Sequence, residues 1–396
     1  MNNRMGKRWD IFCKIVDNYG DIGVCWRLSQ QLAKEHQLQI RLFIDDLTIA
    51  SHIITNLNAT KQQQTINGIE ICNWDESTDA CADVVIETFG CNLPEPYVQQ
   101  MQPNKTIWIN LEYLSAESWV SDFHAKPSPH PTLPLTKHFF FPGFIDATGG
   151  LIREKDLITQ RDEFLNSTAL QTKFLQKLWS TDKTNASSDT IKISIFCYPQ
   201  AQIECLVEAL QNTEQHISLY LPFNSTLSTF NVFLTDFELK VGDVIHKNNL
   251  TVHILPFLSQ DDYDSLLWTC DMNFVRGEDS WIRAIWAGKP FVWQPYIQAE
   301  DTHINKLNAF LDVYTNEASP EVKTLLYQSS LAWSGQAEKQ VHIQDNISKP
   351  EIWQHLITQL PALHAYAKQR ADAFISQPDM ATKLVIFSEN LTRNQV

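Results

Sequence analysis

The chain has 396 residues with 31 basic against 46 acidic side chains, a formal charge of −15. That balance argues against a nucleic-acid partner, which needs basic patches to neutralise phosphates, while 43% hydrophobic and 11% aromatic residues suffice for real cores and speak against extended disorder. No segment reaches the roughly 20 apolar residues of a membrane span, the start MNNRMGKRWDIF lacks the apolar run of a secretory signal, and eight cysteines without a CxxC pair point to a reduced, cytoplasmic protein.

Taken in chain order, apolar runs predict strands at 9–16 and 38–45 with a helix at 23–36 between them. Further strands are expected at 82–89, 105–114 and 137–144. A helical stretch follows, and then the polar run TDKTNASSD at 181–189, which reads as a linker. A second series begins with a strand at 191–198, a helix at 201–212, and strands at 216–222 and 250–257. A helix at 261–270, a strand at 271–275 and a mostly helical region beyond about 300 complete the chain. Strands alternating with helices imply βαβ units and parallel sheets. The expected fold class is therefore α/β, with two Rossmann-like domains facing a deep cleft. Ligands in such sheets bind beyond the carboxyl ends of the strands. The twelve tryptophans are expected in cores or in that cleft.

Two strand-to-helix loops carry more polar groups than a turn requires. The first is DNYGDIGV at 17–24. Gly20 and Gly23 permit a tight turn, but the spacing is not the GxGxxG dinucleotide fingerprint. Asp17 and Asp21 stand where a pyrophosphate would want glycine, and they suit a cation or a proton. The plain alternative makes Asp21 a helix N-cap and Asp17 a turn residue. The second loop is RGEDS at 276–280. Arg276 can hold a phosphate, and the helix that follows favours an anion at its N-terminus. Glu278, Asp279 and Ser280 can accept sugar hydroxyls, or the last two can cap the helix, leaving a surface Arg–Glu pair. Phe196, Tyr198 and Phe257 lie near strand ends, where an aromatic can stack on a base, although most strand aromatics are core. The histidines show no HxxxH pair, and no metal site is expected.

Several segments together resemble the EarP family: DNYGDIGVCWRLSQQL, NLEYLSAESWV at 110–120, FFFPGF at 139–144, the run from 256 to 296 containing VRGEDSWIRAIWAGKPFVW, and DTHINKLNAFL at 301–311. The resemblance extends from about residue 9 to residue 380. Each motif alone is weak, and the combination is specific. The resemblance implies a protein-arginine rhamnosyltransferase of glycosyltransferase B architecture. Such an enzyme moves L-rhamnose from dTDP-β-L-rhamnose to an arginine of translation elongation factor P, with inversion and without a metal or cofactor, the dTDP-sugar being a co-substrate. It implies domains at 1–180 for the acceptor and 190–361 for the nucleotide sugar, with a helical segment at 362–396 returning to the first domain. It places Asp21 as general base, supported by Asp17, in an acceptor loop with Asn18, Tyr19 and Gly20. It places Glu278 with the catalytic groups, and Arg276, Gly277, Asp279, Ser280, Gln260, Tyr198, Phe196 and Phe257 around the donor.

The chemistry of the residues agrees with this. A guanidinium, with a pKa above about 12, is a very poor nucleophile, and fixed carboxylates can orient it and take its proton. Competing readings are another sugar-nucleotide glycosyltransferase or epimerase of this fold, a nicotinamide-dependent oxidoreductase, and a non-catalytic module that binds the elongation factor.

Overall fold

A computed structural model describes residues 7–17, 19–74, 80–178, 190–223, 227–235, 238–335 and 349–394. The chain divides into two compact units, residues 1–155 with 376–396, and residues 156–375. Each is a mostly parallel sheet with helices.

In the first unit the order is β1 (Arg8–Cys13), α1 (Gly20–His36), β2 (Gln39–Ile44), α2 (Leu47–Ile53), β3 (Gln63–Ile66), β4 (Ile69–Asn73), β5 (Val84–Thr88), α3 (Glu95–Val98), β6 (Ile107–Leu111), α4 (Val120–Phe123), β7 (Pro127–Pro129) and β8 (Thr136–Phe140). The sheet order is β3-β4-β2-β1-β5-β6-β8-β7. Every neighbouring pair is parallel except the two outermost. β5 and β6 are buried along their whole length, as parallel strands covered on both faces should be. The β3–β4 hairpin was not expected from the apolar pattern, yet its turn is an Asn67-Gly68 pair, both with positive φ, the chemistry a two-residue hairpin demands.

The second unit contains α5 (Leu157–Asn166), α6 (Thr168–Leu178), β9 (Ile191–Ile195), α7 (Ile203–Gln211), β10 (Ile217–Pro222), α8 (Leu227–Leu234), β11 (Val244–Lys247), β12 (Leu250–Leu255), α9 (Gln260–Thr269), β13 (Met272–Arg276), α10 (Asp279–Ala287), β14 (Phe291–Gln294), α11 (Thr302–Tyr314), α12 (Pro320–Trp333), α13 (Lys349–Thr358) and α14 (Leu360–Ile375). The sheet order is β11-β12-β10-β9-β13-β14, with only β11 antiparallel. The core is aromatic. Trp281 stacks on Trp293 at 3.6 Å, and Trp333 and Trp353 pack edge to face beside Phe274.

The unit boundaries differ from those implied by the sequence. The run at 181–189 lies outside the described residues, and the division falls at 155/156. The reason is that α5 and α6 pack on α9, with Phe164 against Trp268. At the other end, α14 packs on α10 and α13 within the second unit. Only α15 (Met380–Asn394) returns to the first, where it packs on α1 and β6. Among the described residues no helix is long and apolar enough to cross a membrane, and the eight cysteines are free thiols.

Both sheets have a point where the chain reverses its direction of growth. In the first, β1 is followed outward by β2 and β4 on one side and by β5, β6 and β8 on the other. In the second, β9 is followed by β10 and β12 on one side and by β13 and β14 on the other. Loops leaving the carboxyl ends at such a point diverge and open a crevice. The β1-to-α1 junction carries Asp17 and Asp21, the loop after β9 carries Phe196 and Tyr198, and the β13-to-α10 junction carries the 276–280 group.

Candidate active site

In the first unit, β1 ends at Cys13 and α1 begins at Gly20, three residues before the helix expected from apolar spacing. Asp21 therefore sits in the first helical turn and is not the N-cap. That position is held by Tyr19, which makes no side-chain cap bond. Instead the Asp21 carboxylate turns back on the loop. Its Oδ2 accepts the N–H groups of Val16 at 2.7 Å and Asp17 at 2.9 Å. Its Oδ1 accepts the Tyr113 hydroxyl at 3.1 Å. Asp21 is 2% exposed. Burial pushes its pKa up, the two N–H groups and Tyr113 pull it down, and the nearby Asp45 charge pushes it up again, with a net rise.

Gly20 closes this turn. Its N–H donates to the Asp17 carbonyl at 2.7 Å, and a Cβ at this position would stand 2.8 Å from Asp17 Oδ2. Asp17 is half-buried, as is Tyr19, whose ring lies 5.8 Å from that of His52. Asn18 lies outside the described residues. The Tyr113 ring stacks on Phe89 at 4.2 Å, so the group that holds Asp21 is itself held by the loop after β5. Neither residue was singled out from the sequence. The signal was present: each is an aromatic just past the carboxyl end of a parallel strand, the position that drew notice to Phe196.

In the second unit, Arg276 is the last residue of β13 rather than part of the turn. It is 7% exposed. Its guanidinium carbon lies 4.2 Å from the Phe196 ring centre and 4.6 Å from that of Tyr198. Nη1 donates to the Cys197 carbonyl at 3.0 Å. Three expected residues thus meet as one cation–aromatic packet. Gly277 has φ of 61°, a conformation that costs other residues strain. Its N–H donates to the Gln294 carbonyl, and its own carbonyl accepts Trp293 Nε1 at 2.7 Å.

Glu278 is the N-cap of α10 and makes no side-chain cap bond. Neither Asp279 nor Ser280 takes that position. The Ser280 hydroxyl accepts the Arg276 N–H at 3.1 Å and donates to the Arg276 carbonyl. Asp279 Oδ2 accepts Gln260 Nε2 at 3.2 Å, which joins the first turns of α9 and α10. Phe257 is half-buried in the loop between β12 and α9. The Gln294 side chain accepts the Tyr198 N–H at 2.8 Å, a tie that the sequence did not signal. Among the described residues no three His, Cys, Asp or Glu side chains gather as a metal site.

The first cluster can hold a cationic group and take a proton from it. The second presents the N-terminus of a nine-residue helix, a buried cation and two carboxylates, which suits an anion carrying hydroxyl groups.

Comparison with known proteins identifies the family. Residues 9–389 match the family described as Elongation-Factor P (EF-P) rhamnosyltransferase EarP. A protein-arginine rhamnosyltransferase of Pseudomonas putida is 41% identical over 390 residues, which cover 98% of this chain and 100% of the relative. A solved structure described as the structural basis for EarP-mediated arginine glycosylation of translation elongation factor EF-P is 32% identical. It superposes with a TM-score of 0.67 and covers 97% of this chain and 99% of its own. The spinosyn rhamnosyltransferase SpnG, at 11% identity and a TM-score of 0.51, covers 96% of this chain and 99% of its own and shares the fold.

Proposed function

The chain belongs to the EarP family of protein-arginine rhamnosyltransferases, and from that premise we propose that it transfers L-rhamnose from dTDP-β-L-rhamnose to an arginine of translation elongation factor P, inverting the anomeric carbon with Asp21 as general base. The observation that carries this reading is the Asp21 carboxylate. It is buried at the switch point of a parallel sheet, raised in pKa, and braced by three hydrogen bonds.

A guanidinium does not attack until it begins to lose a proton. Asp21 Oδ1 accepts the Tyr113 hydroxyl, and a carboxylate oxygen has a second lone pair that can take an arginine N–H. As the C–N bond forms, the proton passes to Asp21 and the bond from the anomeric carbon to the diphosphate breaks. A base with a raised pKa is better matched to this task. Asp17 orients the acceptor from the loop that holds it, with Asn18, Tyr19 and Gly20. Charge on the departing dTDP is met by the N-terminal N–H groups of α10 and by Arg276. Glu278, Asp279 and Ser280 hold the sugar and diphosphate, with Gly277 allowing close approach. Phe196, Tyr198, Phe257 and Gln260 receive the nucleoside. No metal and no cofactor takes part, and the reaction belongs in the cytoplasm, where the elongation factor works.

The test is an intact-mass assay of elongation factor P incubated with the enzyme, dTDP-rhamnose and a chelator, beside Asp21→Asn. Gain of one deoxyhexose, reduced about 10²- to 10⁴-fold in rate by the substitution, supports the assignment. No gain with bound dTDP would leave a sugar-nucleotide enzyme with another acceptor. Unaltered transfer by Asp21→Asn would move the base elsewhere.

A further inference from the structure

The proposed acceptor is a folded protein, and the contact around Asp21 is too small to select one. Interfaces that recognise a protein rely on a few aromatic anchors with a polar rim. The first unit has such a set. Trp119 is 42% exposed and Phe123 54% exposed. The two rings lie 6.0 Å apart, edge to face. Trp119 also stands edge-on to Phe141 at 5.5 Å, which stacks near Phe139. The exposed rings therefore rest on a fixed aromatic base. Single exposed apolar residues are ordinary, but adjacent exposed rings make a contiguous apolar patch, the feature that marks an interaction site.

Their place in the fold matters more than their exposure. Trp119 and Phe123 belong to the connection after β6, and Phe141 follows β8 directly. Ala125 and Phe139 share a ladder hydrogen bond, which brings Phe123 to the carboxyl end of β8. Asp21 follows the carboxyl end of β1, and the Phe89–Tyr113 stack follows β5 and β6. With the order β1-β5-β6-β8, all these groups lie along one edge of one parallel sheet. The patch stands three strand spacings, about 14 Å, from the base. A small domain whose arginine reaches Asp21 would overlie that distance. Glu117 and Asp122 lie in the same connection as the aromatics, the sign that suits the surroundings of a cationic acceptor side chain.

We propose that Trp119 and Phe123 form the docking surface for the protein whose arginine is modified, so that acceptor selection is made at the β6–β8 end of the edge and chemistry at the β1 end. This rests on the function proposed above. The aromatics select the acceptor protein and do not act on the sugar.

The experiment measures elongation factor P binding and its KM and kcat for transfer with Phe123→Glu, Trp119→Ser and, as a control, Val244→Glu, an exposed residue of β11 in the other unit. Phe123→Glu alters a mostly exposed ring and keeps the test sound if Trp119→Ser unsettles the loop. The expected result is a rise of about tenfold or more in Kd and KM for the elongation factor, with kcat, the KM for dTDP-rhamnose and the control unchanged. Parental values in both patch variants, with the wild type active, would overturn the docking surface and leave the function standing. A loss confined to kcat would also overturn it. If the wild type neither binds nor modifies the factor, the functional reading falls, and the docking proposal falls with it.

Discussion

Asp21 holds a position where burial makes ionisation costly and three hydrogen bonds offset only part of that cost. Burial raises its pKa, so the folded chain binds the proton more tightly than the unfolded chain. Stability from this group is then complete below the unfolded value and is lost as pH rises through the folded one. Asp21→Asn removes that loss. Its thermal midpoint at neutral pH should equal or exceed the parent's, with the gap closing on acidification, while transfer fails. Melting curves across pH check the first part and the mass assay the second. Tyr113 works on the same group from the opposite direction, since its hydroxyl favours the ionised form. Tyr113→Phe should push Asp21 further up and move the acid limb of kcat/KM to higher pH, so that activity is lost first on the acid side. An unmoved acid limb would show that this hydrogen bond does not tune the base.

At the level of elements, the donor loop depends on how α10 is held. Arg283, midway along it, is 2% exposed and donates to both oxygens of Asp264 on α9, at 2.9 and 2.6 Å. With Gln260 meeting Asp279 one turn earlier, the two helices are pinned together at both levels. Removing one partner leaves a buried charge alone, at a cost of about 3–5 kcal/mol. Asp264→Ala should show that loss in urea unfolding, together with a higher KM for the dTDP-sugar than for the acceptor. Equal effects on both substrates would mean that the pair serves stability only. The aromatic packet of Phe196, Tyr198 and Arg276 shows why the element matters. Phe196 and Tyr198, just past β9, and Arg276 at the end of β13 become one group only because β9 and β13 are neighbours.

At the scale of the whole chain, the last helix belongs to the unit in which the chain begins. α15 buries Met380, Ala381, Leu384 and Ser388 in the unit that begins the chain. At roughly 1.5–3 kcal/mol for each large apolar side chain, Met380 and Leu384 alone contribute at least about 3 kcal/mol. A chain ending at 375 should unfold at a lower temperature than the full chain and lose arginine transfer. It should still bind dTDP, whose proposed site lies wholly in residues 156–375. Calorimetry with and without dTDP would show this, and loss of dTDP protection would argue that the second unit needs α15.

Much of this was legible in the chain itself. Period and length marked most of the interior strands, because parallel strands buried on both faces must be apolar throughout. The two polar loops stood out because a turn needs fewer functional groups than Asp17 to Asp21 or Arg276 to Ser280 supply. The combined motifs identified the family. The edge strands β3, β7 and β11 were missed, since strands with one exposed side carry weaker patterns. Other features had no local signature. That Asp21 braces its own loop rather than capping α1, that Tyr113 holds it, and that Arg276 lies against Phe196 and Tyr198 depend on strands adjacent in space and distant in sequence. The split at 155/156 and the return of α15 likewise depend on which apolar face finds which partner. Local sequence determined the elements and the chemistry they carry. Only tertiary packing decided which of those groups meet, because burial and hydrogen bonding are set by neighbours that the chain order does not bring together.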